Sequence, residues 1–169
     1  GGYYAWGETD DKTDYYWETY KWCDYNGSYS YNPLTKYCSD SDYGAIDNKT
    51  ILDPEDDVAH VKLGGSWRDE IEELCNECTW TSTTYNGVKG QLVTGPNGNS
   101  IFLPAAGYCR NTDFEYRGLE GGYWSASLYE NRNHYSYVLY FGNDDECGDY
   151  HNSIEFSRGV GFTVRPVTE

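Results

Sequence analysis

Three histidines, six cysteines and two dense acidic runs hold the bond-making and metal chemistry open to this 169-residue chain. His134 and His151 are candidate acid–base groups, but neither stands at a recognisable spacing from a nucleophile with a paired base. Cys75 and Cys78 form a C-x-x-C. A zinc site would need a second such pair or histidines at ligand spacing, and His60, His134 and His151 supply neither. A thioredoxin-like role would need a βαβ pattern around the pair, which is missing. Asp144-Asp145-Glu146 and the run Asp53–Asp57 could gather oxygens around a structural calcium, although acidic runs ordinarily mark solvated faces or helix ends. Cys23 and Cys38 flank a loop rich in Tyr, Asn, Gly and Ser, a plausible staple for it, though the pairing of the six cysteines stays open.

Recognition chemistry is far more abundant. Residues 129–156 mix Tyr, Asn, Asp, Ser, His and Gly around a sparse apolar frame of Val138, Leu139 and Phe141. Tyrosine gives rigid amphipathic area, and Asn, Ser and Gly give adaptable hydrogen bonding, the menu of a binding surface. The expected ligand-binding residues are Tyr129, Asn131, Asn133, His134, Tyr135, Tyr137, Tyr140, Asn143, Asp145, Tyr150, His151 and Ser153. No catalytic residue is assigned, and no cofactor is expected beyond the structural calcium just weighed.

The elements that must position these residues are unevenly marked. Residues 1–46 read as an aromatic loop, with five rings between Asp14 and Trp22 and no clean period. A loop of this length must be tied down by its rings or by a disulfide. Asp53 can cap a first helix with Pro54 at its opening position, Val58, Ala59 and Val61 form its apolar face, and Gly64-Gly65 stops it. A second helix is predicted over 69–78, where Ile71, Leu74, Cys75 and Cys78 make one buried stripe. From residue 79 the pattern changes to strands: 79–85, the Asn86-Gly87 turn, 88–93, the Gly95–Gly98 turn, 100–103 ended by Pro104, then 121–128, 135–141 and 161–167. The fold class is α+β, two short helices followed by a late antiparallel sheet with long irregular loops, in one domain over 1–169.

Charge and length exclude several classes. The net charge is −16, and the first 80 residues hold 18 of the 28 acids against 6 of the 12 bases. So acidic a chain repels a phosphate backbone, which argues against nucleic acid as a partner. No apolar run approaches a membrane span, so direct membrane insertion is not expected. The aromatic content argues against disorder. The chain opens at Gly1-Gly2-Tyr3 without Met, as expected of a processed or excised piece with any signal peptide upstream.

Six motifs occur in order: Trp6-Gly7-Glu8-Thr9, Leu52-Asp53-Pro54-Glu55-Asp56-Asp57-Val58-Ala59, Gly64-Gly65-Ser66-Trp67-Arg68, Phe102-Leu103-Pro104-Ala105-Ala106-Gly107-Tyr108, Tyr123-Trp124-Ser125-Ala126-Ser127 and Val164-Arg165-Pro166-Val167. In these the chain resembles the paralogous C-type-lectin-like domains of gut Bacteroides-type surface proteins, distant relatives of the formylglycine-generating, sulfatase-modifying enzymes. Two features depart from that pattern. The family continues Trp-Arg with Met-Pro-Thr, whereas Arg68 runs straight into Asp69, and the family strand ahead of Gly2-Tyr3 is either lacking or upstream of Gly1.

The resemblance implies a C-type-lectin-like fold at the cell surface or outside the cell, carried by a pilus or a lipoprotein, that binds a protein or a glycan without chemistry. An enzyme or accessory module of the formylglycine-generating type is the alternative, but the cysteine pair of that branch cannot be placed on Cys109 or Cys147. Some members are targets of diversity-generating retroelements, which makes 123–164 a candidate variable region. Randomising the adenines of an Asn codon gives the Tyr, His, Ser, Asp, Gly and Cys found at Tyr129, His134, Tyr135, Tyr137, Tyr140, Gly142, Cys147, Tyr150, His151 and Ser153, but never the Glu at Glu130, Glu146 and Glu155. Trp6, Trp67 and Trp124 fall in the motifs and are expected in the core. The Glu-Pro-Asn or Gln-Pro-Asp of calcium-dependent sugar binding is missing.

Overall fold

A computed structural model of the chain describes residues 2–25, 27, 33–64, 71–144 and 148–165. The early segment carries a 3-10 turn at Trp17–Thr19, and another at Pro54–Asp56 precedes helix α1 (Val58–Leu63); helix α2 is Ile71–Glu77. Among the described residues eight strands follow: β1 (Thr79–Tyr85), β2 (Val88–Thr94), β3 (Ser100–Pro104), β4 (Tyr108–Arg110), β5 (Asp113–Glu115), β6 (Glu120–Leu128), β7 (Tyr135–Asp144) and β8 (Gly148–Ser157). They form antiparallel sheets ordered β1-β2-β3, β4-β5 and β6-β7-β8. The α+β class therefore holds.

Local sequence accounts for much of this. Asn86 and Gly87 both adopt left-handed φ values, 50° and 80°, which match the twist of a two-residue hairpin joining β1 to β2. The stripe of α2 packs as its spacing requires, with Ile71 buried and Leu74, Cys75 and Cys78 against the same cluster. The first helix is shorter than its pattern suggests. The backbone carbonyl of Asp53, not its side chain as a cap would, accepts from the amides of Asp56 and Asp57 and closes the 3-10 turn. The extended Asp57 becomes the cap of α1, its carboxylate accepting from Ala59 N at 2.8 Å. Gly64 ends α1 in a left-handed conformation. Val58 and Ala59 are buried, but Val61 of the expected apolar face points to water.

Strand β7 lies between β6 and β8 and is covered on both faces. Val138 and Tyr140 face a cluster of Trp6, Tyr37, Tyr108, Trp124, Leu128, Val160 and Phe162. Leu139 and Phe141 face a second cluster with Ile71, Val93, Leu103, Ala105 and Tyr123. Trp6 and Trp124 are core as expected, while Trp67 lies outside the described residues. The expected strand at 161–167 is instead a set of single bridges, Gly161 to Cys109, Phe162 to Tyr4 and Thr163 to Tyr123, and residues 166–169 lie outside the description.

Rings fasten the long early segment. Ala5, Tyr15, Tyr20, Leu34, Cys38 and Cys109 form a third cluster. The polar tips of the rings bond to chain carbonyls that regular structure would otherwise satisfy: Trp6 Nε1 to Ser125 O, Trp22 Nε1 to Gly7 O, Trp124 Nε1 to Tyr4 O and Tyr20 Oη to Trp6 O, each at 2.8 Å. Cys23 and Cys38 are free thiols, so the staple expected between them is not formed.

Candidate functional site

The early segment and the beginning of β7 enclose an open groove of about 870 Å³. One wall is Tyr15, Tyr16, Trp17 and Glu18, around the first 3-10 turn. Tyr25, Asp42 and Tyr43 form a second side, Arg110 and Asn111 a third. His134 enters from the turn before β7 and Tyr135 from the first position of that strand, with Ser157, Gly159 and Val160 completing the lining. The backbones that carry these side chains are tied together. Tyr15 N donates to Asn111 O at 2.7 Å, Arg158 N to His134 O at 3.0 Å, and Tyr135 pairs with Ser157 in the ladder.

The rings are pre-set. His134 sits edge-on between Trp17 and Tyr43, each centroid 5.1 Å away, and Trp17 also meets Tyr20 edge-to-face at 5.2 Å. Tyr15 is buried, its hydroxyl donating to Tyr3 O at 2.6 Å, and burial pushes its phenol well above the usual range, so it stays protonated. Tyr16 is exposed on the rim. The charges in the groove are the exposed carboxylates Glu18 and Asp42 and the exposed guanidinium of Arg110. This combination of fixed rings, mixed charges and one imidazole can stack on a ligand and hydrogen-bond it.

Of the twelve residues expected to bind ligand, His134 and Tyr135 line the groove and the others disperse. Asn131 is exposed on the β6–β7 turn, and Ser153 is half-buried in β8. Asn133 is fully buried and cannot reach a ligand. Its Oδ1 accepts from Ser39 N and Asp40 N, and its Nδ2 donates to Glu130 O, which locks the β6–β7 turn onto the early segment. Tyr140 packs against the first cluster, and its hydroxyl donates to Glu120, as does that of Tyr150 at 2.9 Å. Tyr137 meets Tyr129 edge-to-face at 5.4 Å. His151 stacks on Trp80 at 4.5 Å, with Nε2 3.2 Å from Cys75 O. Asn143 lies in β7 opposite Asp149, and Asp145 falls outside the described residues.

The other chemical candidates that fall among the described residues also have structural partners. In the run 53–57, Asp56 takes Lys21 at 3.1 Å, Lys36 at 2.5 Å and the Tyr37 hydroxyl at 2.7 Å. Asp53 takes Lys36 at 2.6 Å and Lys49 at 2.5 Å. Lysines thus occupy the oxygens that a calcium would use, and no group of three or more metal-ligating side chains gathers among the described residues. Asp145 and Glu146 of the other run lie outside the description. Burial pushes both the Cys75 and Cys78 thiols upward, the opposite of an activated thiolate.

The groove residues of the early segment were missed because its rings read as scaffold. The one signal for them is the density of rings around Trp17 at a place with no regular element to bury them. Comparison with protein-family models, curated proteins and solved structures finds no match for this chain.

Proposed function

We propose that the chain is a non-catalytic ligand-binding domain of a bacterial surface protein, of adhesin or receptor type, with a C-type-lectin-like fold. It takes a protein or glycan ligand in the groove between Tyr16, Trp17, Tyr43, His134 and Tyr135. One observation carries this reading: rings from segments far apart in sequence meet around a single open cleft of about 870 Å³, held by buried partners. Aromatic anchors of this kind supply most of the energy at recognition sites. The order of the six motifs, and two short helices ahead of antiparallel sheets, support the finer fold and the setting on a pilus or lipoprotein outside the cell. Retroelement diversification of 123–164 belongs to the same reading, with His134 and Tyr135 as the groove positions it would rewrite.

The test screens the purified domain against arrayed glycans and arrayed extracellular proteins, then repeats the strongest binding pair with Tyr16→Ala. Tyr16 is 40% exposed, so its removal leaves the fold intact. Loss of at least about tenfold in affinity, roughly 1.4 kcal/mol, with unchanged thermal unfolding supports the groove. Unchanged affinity in that variant, or no binding on either array, counts against it.

A further inference from the structure

Strand β1 stands at the free edge of the β1-β2-β3 sheet. It pairs with β2 without a break over its whole length, Thr79 with Thr94 through Tyr85 with Val88, so no bulge twists the edge away. All of its residues except Trp80 are exposed. Its sequence, Thr-Trp-Thr-Ser-Thr-Thr-Tyr, has no proline and no charge. Among the described residues no backbone hydrogen bond reaches β1 from anything but β2. Among the described residues the devices that ordinarily protect an edge strand are therefore missing, and a row of backbone donors and acceptors is left open by them.

The solvent face of the same sheet carries no charge either. By the register it presents Thr79, Thr81, Thr83 and Tyr85 from β1, Val88, Gly90, Leu92 and Thr94 from β2, and Ser100, Phe102 and Pro104 from β3. Tyr85, Val88 and Leu92 are exposed, and the Tyr85 and Phe102 rings meet at 5.6 Å. In a chain of charge −16, this is a place where a second copy can approach without meeting its own sign.

We infer that β1 is a self-association edge, and that two copies pair β1 to β1 antiparallel about Ser82, joining their sheets into one of six strands. A two-fold interface must be self-complementary, and this strand is. Centred on Ser82, Thr81 faces Thr83 of the other copy, Trp80 faces Thr84, and Thr79 faces Tyr85. Hydroxyl pairs and aromatic–β-branched pairs are the favourable cross-strand combinations. No carboxylate or amine enters the seam. The rest of each copy is strongly acidic, so the two repel at a distance. Association is therefore strengthened by salt, the reverse of an ion-paired interface.

Sedimentation equilibrium of the chain at low and high salt, over a wide range of protein concentration, reads this directly. A dimer that grows with concentration and with ionic strength is expected, with slowed hydrogen exchange at β1 amides in the dimer. Thr81→Lys with Thr83→Lys places lysines directly opposite each other and abolishes the dimer. Thr81→Glu with Thr83→Glu does the same. Mixing the two double variants restores a 1:1 heterodimer, because each lysine then faces a glutamate. A wild-type chain that stays monomeric under all conditions overturns the inference. So does a dimer whose β1 amides exchange as fast as the monomer's, or two folded variants that fail to pair on mixing.

Discussion

Arg158 donates from Nε to the Tyr20 hydroxyl at 2.9 Å, and both side chains are buried. The guanidinium also donates to the carbonyls of Tyr37 at 3.1 Å, Asn133 at 2.9 Å and Lys36 at 3.2 Å, and it lies 4.8 Å from the centre of the Trp6 ring. Among the described residues no carboxylate is in ion-pair range of it, so backbone dipoles and ring faces stabilise the buried charge. The residue joins the end of β8 to the early aromatic segment and to the turn before β7, the three pieces that shape the groove.

Arg158→Met should therefore destabilise the fold by about 3–5 kcal/mol, because it strands several buried acceptors at once. For a chain of this size that lowers the unfolding temperature by roughly 6–20 °C. Tyr20→Phe strands the Arg158 Nε–H and the Trp6 carbonyl and should cost about 1–3 kcal/mol. Urea unfolding of both variants measures these losses, and an Arg158→Met loss below that of Tyr20→Phe would show that the carbonyl bonds contribute little.

Asn133 and Asn131 are neighbours in one turn with opposite fates. Asn133 is itself fully buried, and Asn133→Ala removes the acceptor of two part-buried amides and should cost about 1–3 kcal/mol. Asn131→Ala, on an exposed residue, should stay within about 0.5 kcal/mol. Parallel thermal melts distinguish them, and equal losses would contradict the buried role of Asn133.

How much of this the sequence reveals depends on how local the cause is. The Asn86-Gly87 hairpin is legible because both residues tolerate left-handed backbone, and α2 because Ile71, Leu74, Cys75 and Cys78 repeat at helical spacing. Strand β8 is missed because Asn152 and Ser153 read as turn formers, and its pairing with β7 outweighs that preference. The Tyr-rich stretch looks like one face in sequence, yet β7 alternates between two cores, so Tyr137 and Tyr140 point to opposite sides. Convergence of Trp17, Tyr43 and His134 is a tertiary event with no signature at any single position.

The acid limb of stability should depend on Asp56 and Asp53. Burial raises the Asp56 carboxyl, but hydrogen bonds from Lys36, Tyr37 and Lys21 outweigh it and hold it below its ordinary value. Hydrogen bonds from Lys36 and Lys49 depress Asp53 in the same way. A carboxyl depressed in the folded state adds stability above its unfolded pKa, about 3.9, and that stability is lost as pH falls through the lower folded value. Asp56→Asn should thus be weaker than the parent at neutral pH, with the deficit shrinking below about pH 4 as the parent's own Asp56 protonates. Urea midpoints across that range measure it, and a deficit independent of pH would assign the loss to packing.

Gly121 and Gly122 adjoin in β6, and each leaves room for a phenylalanine ring on its own side of the sheet. A Cβ at Gly121 would overlap Phe141, and one at Gly122 would overlap Phe162. Phe162 stands at the centre of the first cluster, with Trp124 at 5.0 Å, Phe156 at 4.9 Å and Tyr108 at 5.3 Å, so it has little freedom to move aside. Gly122→Ala should accordingly cost about 1–3 kcal/mol by overpacking. Phe162→Leu should cost a comparable amount by leaving a gap. Their combination should cost less than the sum, because the smaller side chain accepts the new methyl. A double-mutant cycle on urea unfolding reads the coupling, and strictly additive losses would show that the glycine is required for a reason other than the ring above it.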